Sequence, residues 1–190
     1  YGFVQSVNMD KVNRYLKDMF SGLKKNDKLS AGGGLGAMLI HRISEDLAIR
    51  PRFEWTNSYT DFEFNSGAGK MEIDTSYIGY GMDVMMIDSD NIYVGGGFMR
   101  LSASYEESIT YLGSTYDDTS EGSSIGFNFF LGGHKDLSKS VLFAEVFYKV
   151  AKIKKLKNPY GQRVLLSSNV PFELDFSGFG LIAGIAFGGK

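Results

Sequence analysis

A chain of 190 residues is long enough for one domain with a full core, and a net charge of −2 gives no global case for nucleic acid. The absence of cysteine excludes disulfides, thiolate metal sites and Cys nucleophiles. Glycine at 24 against proline at 3 suits curved, closely packed strands, and no run of about 18 apolar residues exists to form a membrane-spanning helix. A membrane barrel is still allowed, because its strands alternate.

Tyr1 to Val7 reads as a short strand, and its extended start would suit a processed mature N-terminus. A helix is expected over about Met9 to Lys25. Val12, Leu16, Met19, Phe20 and Leu23 form its apolar stripe, and Asn8 or Asp10 can cap it. It would pack on the fold, lid a barrel mouth or lie on lipid head groups. Ser30 to Ile43 is the second strand. Its glycines lack the Gly-Lys-Ser/Thr ending of a phosphate loop, so they are read as curvature.

Ser44 to Asp46 turns into Leu47–Thr56. There Leu47, Ile49, Pro51, Phe53 and Trp55 alternate with Ala48, Arg50, Arg52, Glu54 and Thr56. A side-chain period of two makes this a strand with one apolar and one charged face. Pro51 removes one ladder hydrogen bond and predicts a bulge or an imperfectly paired neighbour. Residues 57–70 read as a longer polar loop, with room for extensions of the flanking strands. Met71 to Ile87 is a strand whose Ile78, Tyr80, Met82, Val84 and Met86 share a face that turns polar at Ser76, Asp74 and Glu72. That shift fits a strand leaving a bilayer for water. After a turn at 88–91, Ile92 to Glu106 sets Met99, Leu101, Ala103 and Tyr105 against Arg100, Ser102, Ser104 and Glu106. Residues 107–122 read as an acidic loop.

Ser123 to His134 and Val141 to Ala151 alternate again, around a turn at 135–139. Residues 152–170 read as a basic loop, and Phe172 to Phe187 as the last strand. The period alone does not say which face is buried. A membrane barrel would set Phe53, Trp55, Tyr80, Met82, Phe127 and Phe129 toward lipid, together with Tyr148, Phe179, Leu181, Ile185 and Phe187. Arg50, Arg52, Glu54 and Asp83, with Arg100, Asn128, Glu145 and Lys149, would then line the lumen as a paired plug, a narrow ion path or a small-ligand cavity. Lumen-side Gly126, Gly132, Gly178, Gly180 and Gly184 would leave volume there. A soluble lipocalin-like barrel binding an apolar ligand reverses both faces, and its Gly-x-Trp signature is missing.

The expected connections alternate long and short. Up-and-down strands therefore collect the long loops at one end and the short turns with both termini at the other. This segregation, together with the closing strand F-G-L-I-A-G-I-A-F, resembles the small eight-stranded outer-membrane barrels of the OmpA/OmpX type over essentially the whole chain. Phe187 is followed by Gly188-Gly189-Lys190, so the closing aromatic is not terminal.

The resemblance implies an all-β, eight-stranded antiparallel transmembrane barrel, one domain over residues 1–190 with the helix inserted after the first strand. It implies a Gram-negative-type outer membrane, long loops outside and periplasmic termini. The role would be structural, a minor pore or an accessory of a surface assembly. Partners would be membrane lipids and such an assembly, with no cofactor and no enzyme activity. Lys152, Lys154, Lys155, Lys157 and Arg163 would meet lipid phosphates or an acidic partner. Some such barrels resemble lipid A deacylases, which need His, Ser and an acid near the outer leaflet. Here His41, with Ser44 and Glu45 nearby, and His134 sit beside short turns instead. Glu106, Glu107, Asp117, Asp118 and Glu121 would attract divalent cations only weakly, and two histidines give no metal-ligand spacing.

Overall fold

A computed structural model describes residues 1–6, 31–63, 69–88, 90–137, 139–167 and 170–187. The strands are β1 Gly2–Ser6, β2 Ala31–Met38, β3 His41–Arg42, β4 Leu47–Glu63, β5 Gly69–Ile87, β6 Ile92–Tyr111 and β7 Ser114–Asp136. They continue as β8 Val141–Val150, β9 Lys152–Ile153, β10 Leu165–Ser167, β11 Val170–Pro171, β12 Leu174–Asp175 and β13 Gly178–Ala186. The large sheet runs β2-β1-β13-β8-β7-β6-β5-β4-β3, and a β2–β4 pairing closes it into a barrel. Every ladder is antiparallel, and β2 and β3 are two pieces of one of its eight strand positions. The break between those pieces lies opposite Pro51. Proline has no N–H to give, and Leu39 N only donates to the Pro51 carbonyl, at 3.0 Å.

The barrel has two storeys. In the lower one all eight positions close the wall. Above it, β8 accompanies β7 only from Phe127 to Asp136, and β2 accompanies β4 only up to Asn57. The upper storey is therefore a curved sheet of β4 to β7, laddered as far as Tyr111↔Ser114 at the tip of the β6–β7 hairpin. Its concave face is filled by the segment between β8 and β13. Ala151, Ile153, Leu156, Phe172, Leu174 and Phe176 pack there on Phe62, Met71, Ile73, Tyr77, Met99, Leu101, Ala103 and Tyr105. Backbone bonds between Glu121 and Lys157, 2.9 and 2.8 Å, tie this segment to the free edge of β7.

Several expectations are corrected. The fold class holds as all-β, but no helix exists among the described residues. The amphipathic helix at 9–25 lies outside them, and the barrel is built from strands alone. Most of the 57–70 and 107–122 stretches are strand, not loop. The second hairpin closes through a two-residue turn, Leu112-Gly113. The last barrel strand begins at Gly178, because Phe172 to Phe176 turn into the upper core. The lumen-side glycines do not leave volume open. Phe147 occupies the space above Gly180, Phe143 that above Gly184, and Tyr93 with Glu145 that above Gly132; Leu101 reaches Gly126 and Ser6 lies against Gly178.

Candidate functional site

Side-chain direction follows from the pleat. In β4 the even positions from Ala48 to Thr56 point inward, and Arg50, Arg52 and Glu54 enter the lumen on one short run. Asp83 comes from β5, Asn128 from β7, and Glu145 with Lys149 from β8. Three cations meet three carboxylates. Arg50 donates from Nε and Nη2 to Asp83 Oδ2 at 3.0 and 2.9 Å, and from Nη1 to Glu145. Its guanidinium lies 4.0 Å over the Phe130 ring. Arg52 Nη1 is 2.9 Å from Glu54 Oε1, and its Nε is 3.4 Å from Asp83 Oδ2. Lys149 Nζ is 2.5 Å from Glu54 Oε2.

Two tyrosines complete the network. Tyr77 OH donates to Glu54 at 2.8 Å and accepts from Lys149; Tyr93 OH donates to Glu145 at 3.0 Å. Neither was singled out from the sequence. Parity could have found them, since Tyr77 shares the inward face of Asp83, and Tyr93 is the register partner of inward-facing Ile87. Asn128 is buried beside Lys149 in the ladder, with no hydrogen-bond partner for its amide among the described residues.

Burial decides what this cluster can do. Arg50 keeps 1% of its surface and Lys149 2%. Below them Ala48, Met85, Ile87 and Phe143 belong to a second apolar cluster, and above them sits the upper core. Charges held between two apolar layers stay only if paired, because an unpaired buried ion costs several kcal/mol. The arrangement is a charge-balanced set of paired ions, an ionic lock with apolar side chains on both sides.

Arg100 does not join the lock, which corrects its expected place. It is exposed on the outer wall, and Met99 and Leu101 point inward instead. The reason lies in the upper storey, where the inserted segment makes the inside apolar. On the same outer wall, Phe53, Trp55, Tyr80, Met82, Phe127 and Phe129 are exposed, as are Tyr148, Phe179, Leu181, Ile185 and Phe187. A closed belt of this kind, with Phe179 67% and Phe129 63% exposed and ions inside, is the reverse of a lipocalin-like barrel and corrects that alternative.

The belt ends abruptly. Going outward along each strand, Trp55 gives way to Asn57, Ile78 to Ser76, Phe98 to Arg100 and Ile125 to Ser123. On β5 the outward residues Ile78 to Met86 span about 26 Å of strand, or about 20 Å at a barrel tilt near 40°.

The remaining candidates scatter. Lys152, Lys154, Lys155, Lys157 and Arg163 are exposed on the inserted segment, with Lys152 Nζ 2.9 Å from Asp175 Oδ2. That ion pair raises the Lys152 pKa, by hydrogen bond first and charge second. Glu106, Asp117 and Glu121 lie on the outer face of the β6–β7 hairpin, whereas Glu107 and Asp118 pair on the inner one. His41 is exposed in β3, and His134 lies 6.2 Å from the Tyr93 ring, both at the short-turn end. No group of three or more potential metal ligands forms among the described residues.

No protein-family model matches this chain, and no curated protein matches it in sequence. Among solved structures it is similar to Ail, the attachment invasion locus protein of Yersinia pestis, determined in complex with the heparin analogue sucrose octasulfate. The identity is 9%, the TM-score 0.50, and the match covers 98% of this chain and 93% of that one. At that identity the likeness concerns architecture alone, that of a closed eight-stranded antiparallel β-barrel.

Proposed function

We propose that the chain is an integral outer-membrane barrel that does not conduct and does not catalyse, and that holds a stiff platform above the membrane for a surface accessory or adhesion role. The observation that carries this reading is the reversal of polarity at one level of the wall. Below it the outside is apolar and the inside ionic; above it the outside is polar and the inside apolar. Only a bilayer below and water above make both halves favourable. The long-loop end would then face outward and the termini the periplasm.

The platform offers one candidate contact face. Lys154, Lys155, Lys157 and Arg163 are exposed on a segment pinned by Ile153 and Leu156, so they are presented without the freedom of a loose loop. Polyanions such as lipid phosphates or sulfated sugars suit that charge. Ail was solved with a ligand of the latter class.

The test is sedimentation of the purified chain with and without detergent, followed by voltage-clamp recording in planar bilayers. A monomer that requires detergent and gives no conductance steps is the expected result. A monodisperse chain in plain buffer would remove the membrane, and regular steps would remove the lock.

A further inference from the structure

We propose that Arg100 and the groove beneath it form a binding site for one membrane lipid with a net-anionic phosphate head group. This rests on the membrane reading above. Arg100 stands where the outer wall of β6 changes from Phe98 below to Ser102 above, at the upper rim of the apolar belt. It is exposed, and it makes no ion pair among the described residues. The other outward-facing cations of β4 to β7 are far from it along the strands. Lys70 is near the tip, 2.9 Å from Glu72, and Lys135 is at the short-turn end. A lone guanidinium at the edge of a lipid-facing wall is free to take an anion, and no carboxylate among the described residues pairs with it.

A groove of about 590 Å³ opens directly beside it. Tyr80, Met82, Phe98 and Ile125 give it apolar sides, and Ser123 and Ser124 lie at its upper end. Register explains the shape. Tyr80, Arg100 and Ile125 are direct cross-strand partners on adjacent strands, so an aromatic and a branched aliphatic side chain flank the guanidinium. The groove below fits an acyl chain.

The charge above it narrows the choice of ligand. Glu72, Asp74, Glu106 and Glu121 share the outward face of the upper storey, so a soluble anion approaching from water meets carboxylates first. A lipid arrives from the side, with its chain in the belt and its phosphate at rim height. The fork of Arg100 can then take two phosphate oxygens, while the outward-facing Ser123 hydroxyl donates to another. The site therefore selects a phosphate attached to a lipid, not free phosphate.

The experiment uses the full chain folded in phosphatidylcholine nanodiscs, exchanged against phosphatidylglycerol with the same acyl chains. Native mass spectrometry after release from the disc reads the lipid retained. One phosphatidylglycerol per barrel should be kept in preference to phosphatidylcholine. Arg100→Gln should lower that retention about tenfold, and Arg100→Lys, which keeps the charge but not the fork, should restore only part of it. Equal retention of the two lipids, retention unchanged in Arg100→Gln, or displacement by inorganic phosphate would each overturn the proposal. A chain that never enters the nanodisc would instead refute the membrane reading. The heat-induced gel shift of folded barrels checks that both variants insert.

Discussion

The upper storey continues four of the eight strand positions of the lower one, yet the two solve opposite problems. In the lower half of β4, Phe53 and Trp55 face out while Arg52 and Glu54 face in; in the upper half, Tyr59 and Asp61 face out while Phe62 faces in. The alternation never breaks. What changes is the medium on each side. The lower storey has lipid outside and must fill a narrow lumen from its own side chains, which it does with paired charges and rings over glycines. The upper storey has water outside and buries apolar surface as a soluble protein does, using Ala151 to Phe176 as its second layer. One ladder thus carries two cores of opposite character, and under the proposed membrane reading the rung between them lies at the membrane surface.

The largest effect expected from breaking this contrast lies in the lock. Arg50→Ala leaves Asp83 and Glu145 without their shared partner and should cost about 3–5 kcal/mol in urea unfolding followed in micelles. A loss below about 1 kcal/mol would mean that the lumen is hydrated and the lock is not one. Next comes the outer wall. Phe129→Lys, in the belt, should cost about 2–4 kcal/mol, whereas Ser104→Lys, on the upper wall, should cost close to nothing. Equal effects at both positions would erase the distinction between storeys.

A smaller change should come from the tip of the upper storey. Leu112 has φ of +49° and Gly113 of +83°, the pair required by a two-residue hairpin turn of the kind that favours Asn-Gly. Leucine has no polar group to ease that conformation, and it is 74% exposed, so little packing is lost on replacement. Leu112→Asn should therefore stabilise the hairpin by about 1 kcal/mol, read as slower amide exchange at Tyr111 and Ser114. The smallest effect is one of pH. Burial raises the pKa of Glu107 above its ordinary value; Tyr105, donating to it at 2.7 Å, opposes this, and the charge of Asp118 adds to it. A carboxyl raised in the fold binds its proton more tightly there than in the unfolded chain. Its penalty is thus absent below the unfolded pKa and grows as pH rises through the folded one. Protection of the upper hairpin, corrected for intrinsic exchange, should fall as pH rises above the ordinary glutamate range, and Glu107→Gln should flatten that dependence.

Much of the lower storey was legible in the sequence. Arg50, Arg52 and Glu54 could be assigned to one face because five apolar residues occupy the other without a gap. The expected alternation of long and short connections did not hold, because most of 57–70 and 107–122 is strand and the β6–β7 hairpin turns on Leu112-Gly113. Arg100 went wrong for a physical reason. β6 carries two apolar series of opposite parity, Ile92, Val94 and Phe98, then Met99, Leu101, Ala103 and Tyr105, and a period of two does not report where the surrounding medium changes. The segment after β8 was read by its lysines, while Ile153 and Leu156 between them gave the sign of a layer packed on a sheet. The stretch 107–122 looked like a loop through its acids and serines, although Ile109, Tyr111 and Tyr116 keep strand alternation. Long-range pairing, such as Arg50 with Glu145 across the lumen, had no local signature at all.

Trp55 allows the central claim to be tested at one point. It is the sole tryptophan, it faces out, and it is the last apolar residue of β4 before the wall turns polar at Asn57. The measurement is quenching of its fluorescence in liposomes whose acyl chains carry bromine at different depths. The account predicts strong quenching by bromines near the head groups and weak quenching by those near the bilayer centre. No quenching at any depth, or strongest quenching at the centre, would contradict a membrane surface at the change of polarity.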